Sequence, residues 1–292
     1  LNGLKQALND TRAVAGQDLR ELLYPEGHPY RHRALGTDET LRAISRDDLM
    51  RFHHDHFRAD QTIVAVAGGL EVETAWDLIE QALGNWAADG SAPSIDIPEV
   101  EPPSAVVRRE STVPGKIQAD IALGLPSMKR SNPDYDALRV ANLILGRLGL
   151  MGRLGASVRE RQGMAYYASS SLGAGLGRGL WTAYAGVDPA NIDRALASIL
   201  EEVEKLRSEP VTDDELADSK SFLIGSLPLA MESSDSIADS ALDIAFYDLG
   251  LDYVDLMPAR IRELTVEDLL SVAQRYLLTD RVAIAVARPE ER

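Results

Sequence analysis

Two stretches of the chain carry nearly the same order of apolar and polar positions. Residues 41–68 read LRAISRDDLMRFHHDHFRADQTIVAVAG and residues 261–288 read IRELTVEDLLSVAQRYLLTDRVAIAVAR, aligned without a gap at an offset of 220. Arg42 and Arg262, Asp48 and Asp268, Leu49 and Leu269, and Asp60 and Asp280 are identical, and apolar positions largely coincide. Self-similarity of this kind predicts an internal repeat. Each copy opens with a hydroxyl followed three residues later by an acid, Ser45 with Asp48 and Thr265 with Asp268. That spacing predicts a helix start capped reciprocally by the two side chains. A turn at the shared aspartate and a nearly all-apolar strand (TIVAVAG, VAIAVAR) are expected next. Such strands belong inside a sheet covered on one or both faces.

Residues 88–104, ADGSAPSIDIPEVEPPS, contain Pro93, Pro98, Pro102 and Pro103 and read as an extended linker. Strand-like runs follow at 104–112 (SAVVRREST) and 116–126 (KIQADIALGLP). A helix is expected from about Pro133, with proline in its first turn. Next come a Gly-rich turn, GRLGL, and a helix through SVRERQG, then AYYASSSL and GLWTAYAGV, whose alternation suggests a hairpin. Helices after Pro189, after Thr212 (capped with Glu215) and around Ser236 lead into the second copy. The predicted organisation is the C-terminal part of a first lobe over 1–87, a linker over 88–104 and a complete second lobe over 105–292. The chain reads as one and a half lobes of a two-lobe protein.

The 292 residues carry a net charge of -16, which disfavours nucleic acid and anionic membrane as partners. No apolar run approaches the length of a membrane span. Cysteine is absent, which excludes disulfides, thiolate zinc ligands and a cysteine nucleophile. The N-terminal LNGLKQALNDTRAVAGQ is helix-like and lacks the three-part order of a signal peptide. Its first residue is Leu, which suggests a processed or truncated chain, and the compartment, bacterial cytoplasm or periplasm, stays open.

His53 and His56 stand at i and i+3 on an expected helix, a spacing two metal ligands can use. No third ligand lies nearby, and the second copy has Ala273 and Tyr276 in their places, so a polar helix face accounts for them. His28 lies in GHPYRHRALGT, where a loop-packing role is expected. The chain has no H-x-x-E-H, and no metal ligand is assigned. Ser169, Ser170 and Ser171 lack a G-x-S-x-G setting, and no histidine follows His56. GAGLGRG, 173–179, lacks the strand–turn–helix context of a phosphate loop and reads as a hairpin connection. Arg159 and Tyr166 remain. Converging on one point, a guanidinium and a phenol could stabilise an oxyanion developing on a carbonyl. On spacing alone the ordinary reading prevails, because an R-x6-Y match is commonplace: Arg159 pairs with Glu160 or another acid on the helix surface and Tyr166 fills a strand position.

Context supplies more. Residues 151–171, MGRLGASVRERQGMAYYASSS, resemble the "GRL…VRE..G.AY" segment of the pitrilysin-like zinc metallopeptidases, or inverzincins. That family includes mitochondrial processing peptidase, insulin-degrading enzyme and bacterial processing-protease-like proteins. GHPYRHRALGT and FHHDHFRADQTIVAVAGGLE are similar to the family's passage after its metal site, so the resemblance covers essentially the whole chain. It implies an α+β, duplicated two-lobe fold, each lobe a mostly antiparallel sheet covered by helices, with the first lobe incomplete here. By motif match Arg159 and Tyr166 are the pair that hydrogen-bonds substrate near the scissile bond. Gly152, Arg153 and Leu154, in a turn shorter and less glycine-dense than in some members, correspond to a substrate-contacting loop.

The resemblance therefore implies part of a zinc-dependent metalloendopeptidase that supplies the Arg/Tyr pair but no zinc ligands and no cofactor. Zinc is expected in the complete enzyme or in a partner, and this chain alone is expected to be inactive. The implied partners are a peptide or unfolded protein substrate and a zinc-bearing half, in a homo- or heterodimer. The alternative is a non-catalytic scaffold or peptide-binding subunit of the same fold.

Overall fold

A computed structural model describes residues 1–88, 90, 92–147, 152–161 and 163–290, with backbone alone at 147 and 159–161. Its strands are β1 (Val107–Thr112), β2 (Ala119–Pro126), β3 (Met128–Lys129), β4 (Ala165–Leu172), β5 (Ala174–Gly175), β6 (Leu180–Val187) and β7 (Ala283–Arg288). Five of them form a sheet in the order β1-β7-β2-β6-β4. The β1–β7 pair is parallel and the other pairs are antiparallel, while β3 and β5 make a small separate parallel pair. Helices α1 (Asn2–Leu8), α2 (Thr11–Leu23), α3 (Asp38–Ala43), α4 (Arg46–His56) and α5 (Val72–Leu83) precede the sheet in sequence. After β3 come α6 (Tyr135–Asn142), continued by a wide turn Leu143–Arg147, and a second wide helical segment, Gly155–Arg161. Helices α7 (Ile192–Ser208), α8 (Asp213–Gly225), α9 (Leu227–Ala230), α10 (Ser234–Phe246), α11 (Tyr253–Glu263) and α12 (Val266–Tyr276) lie between β6 and β7. The fold is α+β.

All eight residues of β2 are buried because both sheet faces are covered. Ile121, Leu123 and Leu125 point into the larger core, with Leu138 of α6, Ile199 of α7 and Leu269 of α12. On the other face Ala122, Ala283, Ala285 and Ala287 meet Ala15, Leu19 and Leu23 of α2. The alanines let α2 approach closely, and a side-chain carbon on Gly124 would stand 3.0 Å from Leu19. Burying Leu19 there contributes about 1.5–3 kcal/mol. Helix α2, expected from the sequence to belong to a first lobe, thus closes the outer face of the five-stranded sheet. Edge strand β1 alternates half-buried and exposed positions, as a strand with one solvated face does.

The three predicted caps form. Ser45 with Asp48, Thr212 with Glu215 and Thr265 with Asp268 each exchange reciprocal hydrogen bonds at the start of α4, α8 and α12. The strand expected at 62–68 does not form. Its backbone is extended but unpaired among the described residues, and Ile63, Val64 and Val66 are 47%, 47% and 52% exposed. The cause is tertiary: an apolar strand satisfies its amides only beside other strands, and none lies there. Among the described residues no apolar side chain between 25 and 99 is buried.

Candidate functional site

The site is built around an irregularity in β4. Ala165 pairs with Val187 of β6 and Tyr167 pairs with the next residue, Gly186, so Tyr166 is the extra residue of a bulge. A bulge bends its strand and re-aims a side chain. Ala165 and Ala168 both face the larger core, while Tyr166, on the sheet's edge strand, is 66% exposed. Its hydroxyl has no partner among the described residues. Gly163, at φ 60°, turns the chain from the Gly155–Arg161 segment into β4, in the left-handed region that glycine tolerates. The backbone of Arg159 lies in that segment, and its side chain is outside the described residues.

Residues 148–151 of the Gly-rich turn lie outside the described residues, and Gly146, where it begins, is pressed against β4. A side-chain carbon on Gly146 would lie 2.8 Å from the Ser170 amide nitrogen, and one on Gly152 would lie 2.9 Å from Gly146 Cα. Leu154 is fully buried. Arg153 donates two parallel hydrogen bonds, both 2.7 Å, to the carboxylate of Glu215 at the start of α8. This fork raises the Arg153 pKa and holds the Glu215 carboxyl below its ordinary value. Gly152 and Leu154 are therefore packed into the fold, and the Arg153 guanidinium is engaged by Glu215.

Sequence reasoning missed Asp120. This carboxylate in β2 is 2% exposed. It accepts hydrogen bonds from the hydroxyls of Thr11 and Tyr167 and, at 3.3 Å, from the Gln118 amide. Burial, and then the bond to Asp120, push the Tyr167 phenol pKa up, so the phenol stays protonated and donates. Arg12 stacks over the Tyr167 ring at 4.8 Å and the Tyr184 ring at 5.1 Å. This network pins Tyr167, and with it one side of the bulge, to α2. The available signal was a lone acid in the otherwise apolar run ADIALGLP, 119–126.

His28, His53 and His56 each pack against an aromatic ring. His28 is 2% exposed, stacks on Tyr24, accepts from the Tyr30 amide and bonds the Pro98 carbonyl at 3.1 Å. It ties the end of α2 to the linker. His53 stacks on Phe57 and His56 packs on Phe52. Among the described residues no three His, Cys, Asp or Glu side chains are grouped to hold a metal ion, so these residues do not fit a zinc site.

The site is thus a bulged tyrosine on the edge strand of a helix-covered, mostly antiparallel sheet, and among the described residues no three His, Cys, Asp or Glu side chains are grouped beside it. The chain belongs to the family described as Peptidase M16 inactive domain, which its residues 43–223 match. It is 29% identical over 209 residues to the uncharacterized zinc protease YmxG of Bacillus subtilis, covering 72% of this chain and 49% of that protein. It is 26% identical over 276 residues to the probable mitochondrial-processing peptidase subunit beta of Schizosaccharomyces pombe, covering 89% and 58%. The chain thus spans about half the length of these relatives. A crystal structure of a peptidase M16 inactive domain from Pseudomonas fluorescens superposes with a TM-score of 0.89 at 27% identity, covering 100% of this chain and 68% of that one. A Helicobacter pylori protease, at 19% identity and a TM-score of 0.85, shares the fold.

Proposed function

We propose that this chain is the metal-free part of a zinc-dependent metalloendopeptidase and acts on the substrate carbonyl from the side opposite the metal. The observation that carries the reading is the bulge that turns Tyr166 outward on an edge strand. Edge strands accept an extended peptide through main-chain hydrogen bonds, so recognition there tolerates varied sequence. Beside such a peptide the Tyr166 phenol donates one hydrogen bond to a carbonyl oxygen, and Arg159 supplies a fixed positive donor. Donors placed where negative charge develops lower the barrier without reorganising. Metal and general base belong, in this reading, to a zinc-bearing partner domain or subunit, and the substrate is a peptide or unfolded protein. The subunit name of the fission-yeast relative supports an assembly of parts.

The test is cleavage of a fluorogenic peptide by this chain assembled with a zinc-bearing half of the family. Tyr166→Phe and Arg159→Ala should each lower kcat by about 100-fold with KM changed much less, the signature of a lost transition-state donor. If neither change slows cleavage, the chain is a scaffold.

A further inference from the structure

We propose that the groove between α1, α2 and the 33–35 connection binds the carboxylates of an acidic peptide. The groove has a volume of about 750 Å³ and is lined by three arginines, Arg12, Arg20 and Arg33, against a single acid, Asp10. This is a local excess of positive charge on a chain with 46 acidic and 30 basic residues. Asp10 is already engaged, accepting from the Ala13 amide at 2.7 Å as the cap of α2. None of the three arginines has a carboxylate partner among the described residues. Several arginines outside the groove are neutralised, Arg109 by Glu21, Arg153 by Glu215, Arg260 by Asp136 and Arg275 by Asp134.

The arrangement suits a carboxylate ligand in three ways. Arg12 is held by the faces of Tyr167 and Tyr184, so its planar edge of donors is presented without a long side chain having to be ordered on binding. The Tyr184 hydroxyl stands over α2, 3.0 Å from where a side-chain carbon on Gly16 would lie, and burial keeps this phenol protonated. It adds a neutral donor to the charged ones. Arg12 and Arg20 are separated by about 12 Å along the helix axis at 1.5 Å per residue. That is the rise of about four residues of extended peptide. Acidic side chains four apart on one peptide match the two guanidinium positions, with Arg33 on the facing rim. Nucleic acid would carry anionic groups too, but the overall charge of -16 repels a polyanion over the length it needs. The inference stands apart from the role of Tyr166 and is tested by binding.

The experiment uses the full 292-residue chain. A fluorescein-labelled ten-residue peptide with two glutamates four apart is titrated at low salt and followed by anisotropy, beside the same peptide with glutamines. The glutamate peptide should bind at least about 10-fold tighter, since two charge-assisted contacts are lost in the glutamine version. The double variant Arg20→Gln, Arg33→Gln, both clear of the Asp120 network, should reduce that preference below about 3-fold with an unchanged circular dichroism spectrum. Equal affinity of the two peptides, or a preference that survives the double variant, overturns the proposal. So does inorganic phosphate if, at matched ionic strength, it abolishes the preference at millimolar concentration where chloride does not. In that case the groove is a phosphate site.

Discussion

Residues 46–68 and 266–288 start from the same local code and end in different environments. Helix α4 matches α12 residue for residue at the offset of 220, and the short turns Ala59–Gln61 and Thr279–Arg281 match as well. Beyond the turns they part. In the second stretch Ile284 and Val286 are 3% and 0% exposed in β7, between β1 and β2, whereas Val64 and Val66 at the matching positions are 47% and 52% exposed and unpaired among the described residues. Leu269 and Val272 of α12 pack against α6 and α7, but Leu49 and Phe52 of α4 are 60% and 54% exposed. Helices and caps form from local bonds, so both stretches have them. A strand's bonds are all to other strands, so the strand exists in only one.

The sharpest way to break this comparison is to place a charge at matched strand positions. Ile284→Asp puts a carboxylate into a dry core, and a cost above about 4 kcal/mol is expected, enough to abolish cooperative folding of the lobe. Val64→Asp should change stability by less than about 0.5 kcal/mol, as surface substitutions do. Urea unfolding followed by fluorescence of the fully buried Trp181 measures both. Comparable losses for the two would show that 62–68 is packed in solution.

Truncating the matched helix leucines is the next step down. Leu269→Ala should cost about 2–5 kcal/mol, because it leaves a cavity among residues that cannot close over it. Leu49→Ala should cost under about 0.5 kcal/mol. A Leu49→Ala loss as large as that of Leu269→Ala would mean that α4 has a covering partner in the isolated chain.

What the sequence made legible follows the same division. A capping box needs four consecutive residues, and Ser45, Thr212 and Thr265 all cap where expected. The β4–β6 hairpin was readable because alternation is a property of each strand alone. The docking of α2 was not readable: Ala15, Leu19 and Leu23 announce an apolar face but do not say which sheet it covers. The bulge at Tyr166 was hidden because two successive tyrosines fit either register until Gly186 fixes the count. Arg153 looked available for a ligand because its partner Glu215 is 62 residues away, next to a helix start already explained by its cap. Asp120 was passed over because its partners, Thr11 and Tyr167, lie 109 and 47 residues off.

The smallest expected effect separates two carboxylates that local chemistry treats alike. Hydrogen bonds from the Ser45 side chain and then its backbone hold the Asp48 carboxyl below its ordinary value, and the bond from Arg153 does the same for Glu215, whose ordinary value is 4.5. A carboxyl depressed in the folded state adds stability that is present above the unfolded pKa and is lost as pH falls through the folded one. For Glu215 the Arg153 fork belongs to the packed lobe, so the loss enters global unfolding. The side chains of this pair are 19% and 30% exposed, and solvent screening keeps the contribution to about 1 kcal/mol. Glu215→Gln keeps an acceptor for the cap and removes the charge, so it should flatten the stability curve below pH 4.5 and leave its neutral-pH shape otherwise similar. Asp48→Asn should leave the urea midpoint unmoved at every pH and increase only amide exchange in the first turn of α4, because that helix contributes little to the core whose unfolding the midpoint reports. A midpoint that follows Asp48 as it follows Glu215 would join α4 to the cooperative unit and remove the difference between the two stretches.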